Sequence, residues 1–389
     1  MSSKAYQICT RCIMDTSDPA ITFDEQGVCN HCRSYDHQKR TVMVDPAARE
    51  STLEALVSTI KASGKNKEYD CLIGVSGGVD STYVAYTVKK LGLRPLAIHM
   101  DNGWNSELAV SNIQKTLEKL EITLDTEVLR WEEFRDLQLA FLKASTPDSE
   151  IPTDHAIQAV LMQRAQKYGI KHIIMGSNVS SEAVMPSSWS NGIRDWRYIK
   201  SVHDQFGKVP LKTFPHFTLI DFILSRTVRG HKWVSILDII DYDKARAMET
   251  IQNELGWVYY GGKHYESIYT RFFQAYILPQ KFGYDKRRAH WSTLVLSGTV
   301  TRDEALRAME EPICDPDLLR QDKEFVIKKL GVTAEEFEAI MQLPKKSIAD
   351  YPAYENTALL KGLRAIYRLP RMSKLWFKKE SSGGVSAHT

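Results

Sequence analysis

The sequence lacks several features that mark whole classes of protein. No run of Lys and Arg forms a basic tail, and the formal net charge of +3 is nearly balanced over 389 residues. We therefore expect no nucleic-acid partner. Residues 1–6 contain no apolar signal region, and the longest apolar stretch, residues 217–224, is interrupted by Asp221. We expect a cytoplasmic protein without a membrane span.

Cysteine is scarce, yet four of the six cysteines follow one pattern, Cys9-x2-Cys12-x16-Cys29-x2-Cys32. In a cytoplasmic protein such pairs indicate a metal site rather than disulfides. Two Cys-x-x-Cys knuckles at this separation can place four thiolates tetrahedrally around Zn²⁺. We predict a structural zinc ribbon over residues 1–45, with a short strand at residues 20–23. Two alternatives are His31 as a replacement ligand and a redox dithiol.

A Walker loop, G-x-x-x-x-G-K-[ST], is absent. Residues 76–82 instead read Ser-Gly-Gly-Val-Asp-Ser-Thr, between a β-type run at residues 69–75 and a helical pattern that ends at Gly92. Paired glycines let backbone N–H groups approach an anion, and a helix N-terminus adds partial positive charge. The alternative is a plain hairpin or helix cap. The residues predicted to bind phosphate are Ser76, Gly77, Gly78, Asp80, Ser81 and Thr82, with Asp80 also a magnesium ligand.

Strands alternate with helices beyond this loop. Strand patterns occupy residues 95–100, 122–129 and 172–175, and helical patterns occupy residues 106–120, 131–144 and a stretch from 152 onward. This alternation is typical of an α/β fold, a doubly wound parallel sheet with helices on both faces. We predict an ATP-binding domain over residues 50–235.

Three loops follow strand ends and should meet at one edge of the sheet, where such folds bind ligands. They are the Ser76 loop, residues 101–103 and residues 176–178. We predict that Asp101, Gly176 and Asn178 contribute to the nucleotide site, although Asp101 suits a turn equally well. Glu182, four residues after Asn178, is a second candidate ligand for Mg²⁺ or a solvated helix charge.

The chain becomes mostly helical from residue 236, and we predict a helical substrate-binding region over residues 236–380 before a disordered tail at 381–389. The basic cluster Lys286, Arg287 and Arg288 suits a pyrophosphate or an acidic sugar nucleotide, although such a cluster is usually a solvated turn. A histidine such as His155 is more often a cap or a core residue. Further candidates for substrate contact are His155, Lys263, His264, Glu266, Arg271 and His290.

Taken together, these motifs resemble the N-acetyl sugar amidotransferase family of the PP-loop ATP pyrophosphatase superfamily, the WbpG-like and PseA-like proteins of bacterial surface-polysaccharide biosynthesis. The likeness spans about residues 6–354, and the WbpG-like branch, which acts on a UDP-linked diacetamido uronic acid of lipopolysaccharide O-antigen, is the more similar. The motifs that carry it are the paired Cys-x-x-Cys knuckles, the 76–82 loop, Gly176–Asn178 with Glu182, Gly262–Ser267 and Lys286–Arg288.

The resemblance implies a PP-loop (HUP-type) sheet and a reaction that uses ATP, Mg²⁺ and ammonia to convert an acetamido group of a UDP-linked N-acetyl sugar into an acetamidino group. Attack of the acetamido oxygen on the α-phosphate would give an O-adenylyl imidate and pyrophosphate, and ammonia would then displace AMP. Catalysis would consist of positioning and charge neutralisation. The residues implied as catalytic are Ser76, Asp80, Lys286, Arg287 and Arg288.

The ammonia should come from a partner. Residue 2 is Ser2, so an N-terminal cysteine glutaminase is not expected, and neither Cys71 nor Cys314 has the surroundings of a nucleophile elbow. The resemblance implies a separate HisH-type glutaminase subunit, similar to the one that serves imidazole-glycerol-phosphate synthase. Two rival functions remain. A tRNA sulfur transferase would need more cysteines beyond the four of the zinc ribbon. A regulatory nucleotide-binding module would bind the nucleotide without catalysing a reaction.

Overall fold

A five-stranded parallel sheet forms the centre of the molecule, in the order β3-β2-β1-β4-β5. The computed structural model describes residues 5–262 and 265–357. All four strands predicted for the sheet are confirmed. The fifth strand was missed because its sequence, Lys-Trp-Val-Ser, contains only two apolar residues and is too short to show a period. The strands are β1 Cys71–Gly74, β2 Pro95–Asp101, β3 Thr123–Val128, β4 His172–Met175 and β5 Lys232–Ser235.

Helices follow each of the first four strands, as the predicted doubly wound fold requires, and dominate the second half of the described chain. The α-helices are α1 Asn30–Thr41, α2 Arg49–Ser63, α3 Val79–Lys90, α4 Glu107–Leu120, α5 Trp131–Ala144, α6 Ile151–Lys167, α7 Val179–Glu182, α8 Trp196–Phe206, α9 Leu219–Thr227, α10 Lys244–Leu255, α11 Ile268–Phe272, α12 Arg287–Ser297, α13 Arg302–Glu310, α14 Pro316–Leu330 and α15 Ala334–Gln342.

Side chains of the central strand β1 alternate between the two faces of the sheet, and helices bury them on both faces. Cys71 and Ile73 of β1 pack with side chains from α2, α3, α4 and α10. Leu72 points to the opposite face and packs with side chains from α6 and α9. Cys71 is therefore a core residue, and its burial raises the pKa of the thiol, which makes the thiolate inaccessible to chemistry.

The reversal of strand order places the predicted ligand edge between β1 and β4, since β2 and β4 lie on opposite sides of β1. The turn after β1 leads directly into α3, with Gly78 as the N-cap residue. The turn after β4 leads into the four-residue helix α7, where the Asn178 side chain accepts a hydrogen bond from Ser181 N at 2.8 Å. These two turns therefore face each other across the switch point.

The N-terminal segment folds around its four cysteines and packs against the C-terminal helices. The strand predicted at residues 20–23 is wrong, since only isolated bridges form, Ile8 with Asp15 and Phe23 with Cys29. Asp18 prevents an extended backbone there, because its main-chain oxygen and its carboxylate accept hydrogen bonds from Ile21 N and Ala20 N and hold the chain in turns.

As far as residue 357, where the described chain ends, the predicted helical C-terminal region is present. The π-helix Phe273–Phe282 joins α11 to the turn before α12, and Thr301 and Glu304 form the expected capping box of α13. Within the part of the chain that the structure describes, no helix combines the length and the apolarity that crossing a membrane demands. Lys263, His264 and the predicted tail at 381–389 lie outside the described residues, and the predicted domain limits stay predictions.

Candidate active site

One large cleft, with a volume of about 2760 Å³, lies at the switch point of the sheet. Its walls come from the turns after β1 and β4, from the cysteine-rich N-terminal segment including α1, and from α11 and α12 with the loops before them. It therefore brings together regions that are far apart in sequence. The predicted site residues that line it are Ser76, Gly78, Asp80, Ser81, Gly176, Asn178, Glu182, Glu266, Arg271, Lys286, Arg287 and His290.

Two serine hydroxyl groups organise the loop after β1. The Ser76 and Ser81 Oγ atoms lie 3.1 Å apart, and Ser81 Oγ also accepts a hydrogen bond from Ser76 N at 3.2 Å. Gly78 N donates to Ser76 Oγ at 3.3 Å. These bonds close the loop over the first turn of α3, so that hydroxyls and the helix N-terminus face the same part of the cleft. Such an arrangement suits phosphate oxygens.

Glycine leaves space at two positions of this loop system, where a side chain has no room at Gly77 and little room at Gly176. Gly77 has φ +81°, and a Cβ atom there would lie 2.6 Å from the carbonyl oxygen of Ala109. A Cβ atom on Gly176 would lie 3.2 Å from Ser81 N, so the turn after β4 packs directly against the start of α3. The two turns therefore lie against each other, and their backbone can approach a ligand closely.

Asp80 lies in the first turn of α3 with partners that sequence reasoning missed. Its carboxylate accepts a hydrogen bond from the Tyr242 hydroxyl, and Lys244 Nζ lies 3.8 Å from Asp80 Oδ2. Tyr260 also approaches this loop, since a Cβ atom on Gly78 would lie 3.3 Å from its hydroxyl oxygen. The segment after β5 carries no motif in the sequence, so only the fold reveals that Tyr242 and Lys244 belong here.

A second group of carboxylates lies along the cleft, and sequence reasoning assigned only Glu182 from this group. Asp154 of α6 and Asp238 also line the cavity. Burial and the carboxylates of Asp148 and Glu150 raise the pKa of Asp154 to about 8. Burial and Glu182 raise the pKa of Asp238 to about 6, although its carboxylate accepts a hydrogen bond from Val179 N at 2.7 Å.

The three basic residues predicted as one cluster have different surroundings. Lys286 lines the cleft at the N-cap position of α12. Arg287 forms an ion pair with Asp285 at 2.8 Å and donates to the carbonyl oxygen of Glu311 at 3.0 Å. Of the three, Lys286 is therefore the one that lines the cleft without a salt bridge among the described residues, since the charge of Arg287, which also lines the cleft, is paired with Asp285.

Arg288 faces away from the cleft and ties α12 to the N-terminal segment. Its guanidinium pairs with Asp15 at 3.1 Å and donates to the carbonyl oxygen of Ile13 at 2.8 Å. Arg302 makes a parallel connection through the carbonyl oxygens of Cys9 and Cys12. These contacts correct the expectation that Arg288 meets a ligand, since its donors are already used to hold the cysteine-rich segment in place.

Asp101 and His155 also lie away from the cleft. Asp101 accepts hydrogen bonds from Gly103 N at 2.8 Å and Asn105 Nδ2 at 3.1 Å, which is the turn role that competed with a ribose contact. His155 is fully buried, with Nδ1 2.7 Å from the carbonyl oxygen of Ile193 and its ring stacked 4.4 Å from Phe217. His155 is therefore a satisfied core histidine, and burial lowers its pKa to about 3.

Several other residues that were predicted to contact a ligand are buried or already form hydrogen bonds within the protein. The Gly77 carbonyl oxygen accepts a hydrogen bond from the Trp257 indole at 2.8 Å, and Thr82 is buried within α3. Arg271 reaches the cleft wall but forms a bidentate pair with Asp322 at 2.6 and 2.7 Å. Asn178 lines the cleft while its side chain caps α7. Lys263 and His264 lie outside the described residues, so their substrate role stays a prediction.

The four cysteines form a group that fits Zn²⁺. All four are buried, and their Sγ atoms lie within 4.8 Å of one another. The Cys9–Cys32 and Cys12–Cys29 Sγ distances are 3.7 and 3.6 Å. Zinc–sulfur bonds of about 2.3 Å in a tetrahedron require a sulfur–sulfur distance of about 3.8 Å. The spacing and the all-sulfur donor set therefore match a closed structural zinc site.

His31 is not needed as a ligand, because its Nε2 atom lies 2.7 Å from Asp18 Oδ2. The Ser188 hydroxyl donates to the other oxygen of Asp18 at 2.7 Å, which connects the cysteine-rich segment to the loop after α7. Since His31 and Asp18 also line the cleft, this segment forms part of the cleft wall.

Comparison with known proteins identifies one part of the chain. Residues 266–365 match the family described as "LPS biosynthesis protein WbpG-like, C-terminal domain", which confirms the predicted WbpG-like resemblance for this segment. The matched segment contains Glu266, Arg271, His290 and the basic cluster at 286–288. No match was found among curated proteins.

Three solved structures share a weak similarity with the chain. An NH3-dependent NAD synthetase from Campylobacter jejuni has 15% identity and a TM-score of 0.31, covering 77% of this chain and 98% of its own. An NMN synthetase from Francisella tularensis has 18% identity and a TM-score of 0.28, covering 54% and 93%. A tRNA methyltransferase subunit from Methanocaldococcus jannaschii has 14% identity and a TM-score of 0.27, covering 46% and 72%. At TM-scores this low, none of them bears on the function of this chain.

Proposed function

We propose that the protein is an ATP-dependent, AMP-forming amidotransferase that converts an acetamido group of a UDP-linked N-acetyl sugar into an acetamidino group. One observation carries this proposal. The Ser76 loop at the switch point and the WbpG-like segment, through Glu266, Lys286 and His290, line the same cleft. A phosphate cradle and a sugar-biosynthesis segment therefore share one reaction space.

The phosphate end of the cleft would hold ATP. Ser76, Ser81 and the first turn of α3 supply hydrogen-bond donors to the phosphates, and the side-chain-free surfaces at Gly77 and Gly176 keep the cradle narrow. Asp80, already next to Lys244, would hold Mg²⁺, with Glu182 as a second candidate. The magnesium ion would neutralise charge on the departing pyrophosphate, which is its general role in phosphoryl chemistry.

The opposite part of the cleft would hold the acidic sugar nucleotide. Lys286 and His290 come from α12 and its N-cap, and Arg33 and His37 come from α1 of the cysteine-rich segment. Donors from both walls suit a UDP group and a uronic acid carboxylate. Ammonia would arrive from a separate glutaminase subunit. Under this proposal the protein is a bacterial enzyme of O-antigen synthesis that works in the cytoplasm, as the resemblance implies.

Sulfur transfer to tRNA is the second candidate, and the geometry does not favour it. Among the described residues that line the cleft there is no cysteine, and Cys71 is buried in the sheet core. A persulfide mechanism needs a thiolate that can reach the adenylated carbon. Neither of the two cysteines outside the zinc group is in that position.

An ¹⁸O-labelling experiment tests the proposal directly. If the acetamido oxygen attacks the α-phosphorus, that oxygen must leave with AMP. A UDP-linked diacetamido uronic acid labelled with ¹⁸O in its acetamido carbonyls should yield labelled AMP, unlabelled pyrophosphate and a product that carries nitrogen in place of oxygen, as read by mass spectrometry. Ser76→Ala, which removes a phosphate contact, should lower AMP formation by about 10²-fold or more. Label in pyrophosphate, or no AMP at all, would rule out the proposal.

A further inference from the structure

Asp154 is a carboxylate for which neither the fold nor the proposed ATP site accounts. It lies in the first turn of α6, is half-buried, and lines the cleft. Within the described residues its carboxylate accepts no hydrogen bond, whereas buried acids are normally hydrogen-bonded. A carboxylate without such bonds, facing a reaction space, is available to a ligand.

Four charged side chains act on Asp154. Asp148 and Glu150 precede it in the sequence, Lys286 lies at the N-cap position of α12, and Glu182 lies in α7. The loop after β2 contacts the start of α6, because Asn102 Nδ2 donates to the hydroxyl oxygen of the neighbouring Thr153 at 3.4 Å. Three carboxylates against one lysine favour a cation next to Asp154.

The proposed reaction creates a cation. When the acetamido oxygen attacks the α-phosphorus, the imidate keeps its N–H proton. Addition of ammonia forms a C–N bond, and the incoming nitrogen becomes positively charged. That nitrogen must lose one proton before the C–O bond breaks and AMP departs with the bonding electrons. The lone pair on the added nitrogen then forms the C–N double bond of the amidinium product. The paired N–H donors of that amidinium match the two oxygens of a carboxylate.

We propose that Asp154 is the catalytic base of the ammonia half-reaction, taking the proton from the added nitrogen and then facing the amidinium product. The inference rests on the proposed function. Burial, Asp148 and Glu150 raise the pKa of Asp154 to about 8, against the lowering effect of Lys286, so the ionised form, which prevails above that pH, is basic enough to take a proton from an ammonium-type nitrogen. After AMP leaves, Asp154 returns its proton to water.

The test separates the two half-reactions in Asp154→Asn, Asp154→Glu and the control Asp317→Asn, which changes an exposed aspartate of α14. Exchange of labelled pyrophosphate into ATP, dependent on the UDP-linked diacetamido uronic acid, reports adenylation. Amidine formation at fixed free ammonia reports the second step. In Asp154→Asn we expect exchange within about twofold of wild type and amidine formation lower by about 10²- to 10⁴-fold. Asp154→Glu should recover part of the loss, and Asp317→Asn should match wild type.

Two further readouts distinguish a base from a structural residue. At fixed free ammonia the wild-type rate should rise with pH through about 8, and Asp154→Asn should lack that rise. Hydroxylamine, a less basic nucleophile that loses its proton more readily after addition, should restore turnover in Asp154→Asn more than ammonia does. Amidine formation at the wild-type rate, or equal loss of exchange and amidine, would overturn the assignment of Asp154 alone. No exchange in the wild type would overturn the proposed function and the inference with it.

Discussion

At the residue scale, the surroundings of a titratable group determine whether it supports folding or chemistry. His155 and Asp154 are adjacent in α6 but have opposite environments. His155 points into a stack of aromatic rings and satisfies both ring nitrogens, with Phe217 N donating to Nε2 at 3.3 Å. Asp154 faces the cleft, and its charge meets Lys286. Helical periodicity turns neighbouring side chains about 100° apart, so one is structural and the other is available to a substrate.

His155→Gln tests the structural role. The pKa of His155 is depressed, so the neutral ring stabilises the fold above the unfolded pKa of about 6.5, and this contribution is lost as pH falls from there towards 3. Glutamine keeps one hydrogen bond and cannot titrate. We expect the variant to be less stable by about 1–3 kcal/mol at pH 8 in urea unfolding, with a gap that narrows below pH 6. The KM for the sugar nucleotide should not change; a constant stability gap with a raised KM would instead indicate substrate contact.

At the element scale, α12 connects two functions through residues on different sides of one turn. Lys286 and His290 face the cleft, while Arg288 and Ser292 hold the cysteine-rich segment, with Ile13 N donating to Ser292 Oγ at 3.2 Å. The zinc site would therefore contribute to catalysis indirectly. It would fold a segment too small to have its own core, and that segment forms a wall of the cleft.

Lys286→Ala and Arg288→Ala should separate these functions. Removing Arg288 leaves Asp15 buried without its cation, and we expect a loss of about 3 kcal/mol in unfolding free energy and faster zinc release to a chelator. Removing Lys286 should change stability by less than about 0.5 kcal/mol and lower turnover by about 10²-fold. Arg320→Ala, which breaks an exposed pair with Asp317, is the matched control. Equal stability losses in both α12 variants would contradict the division.

At the scale of the whole molecule, the walls of the cleft come from residues as far apart in sequence as Asp18 and Ile313, but within the described residues no cysteine is placed to release ammonia from glutamine. The two cysteines outside the zinc group are buried, Cys71 in β1 and Cys314 between α13 and α14. A glutaminase nucleophile must be exposed and activated by a neighbouring base. A partner subunit is therefore part of the proposed function.

Purified protein should accordingly use ammonium salts, with a rate that rises as raised pH increases free ammonia, and should give no amidine from glutamine. The measurement is product formation with each nitrogen source at equal concentration. Glutamine mixed with an unrelated glutaminase serves as the positive control for ammonia released into solution. Amidine formation from glutamine by the purified chain alone would show that the partner is not required.

The elements that the sequence determined by itself are those that depend on local chemistry. Four cysteines at knuckle spacing suffice to predict a group that can hold a metal, and the 76–82 loop between a strand and a helix suffices to predict a phosphate site. The alternation of strand and helix patterns predicted the doubly wound sheet, because a strand that is buried on both faces has an apolar run in its sequence. Of the five strands of the sheet, only β5 was not predicted, since its four residues are too few to show a period.

Tertiary structure alone decided which polar side chains share the cleft. Tyr242 and Lys244 reach Asp80 only because β5 lies beside β4. Arg288 turns to Asp15, and Lys286, two residues earlier, turns to the cleft, although the sequence presents them as one basic cluster. The physical reason is that the sequence pattern sets spacing along an element, while the packing of distant elements sets what each side chain meets.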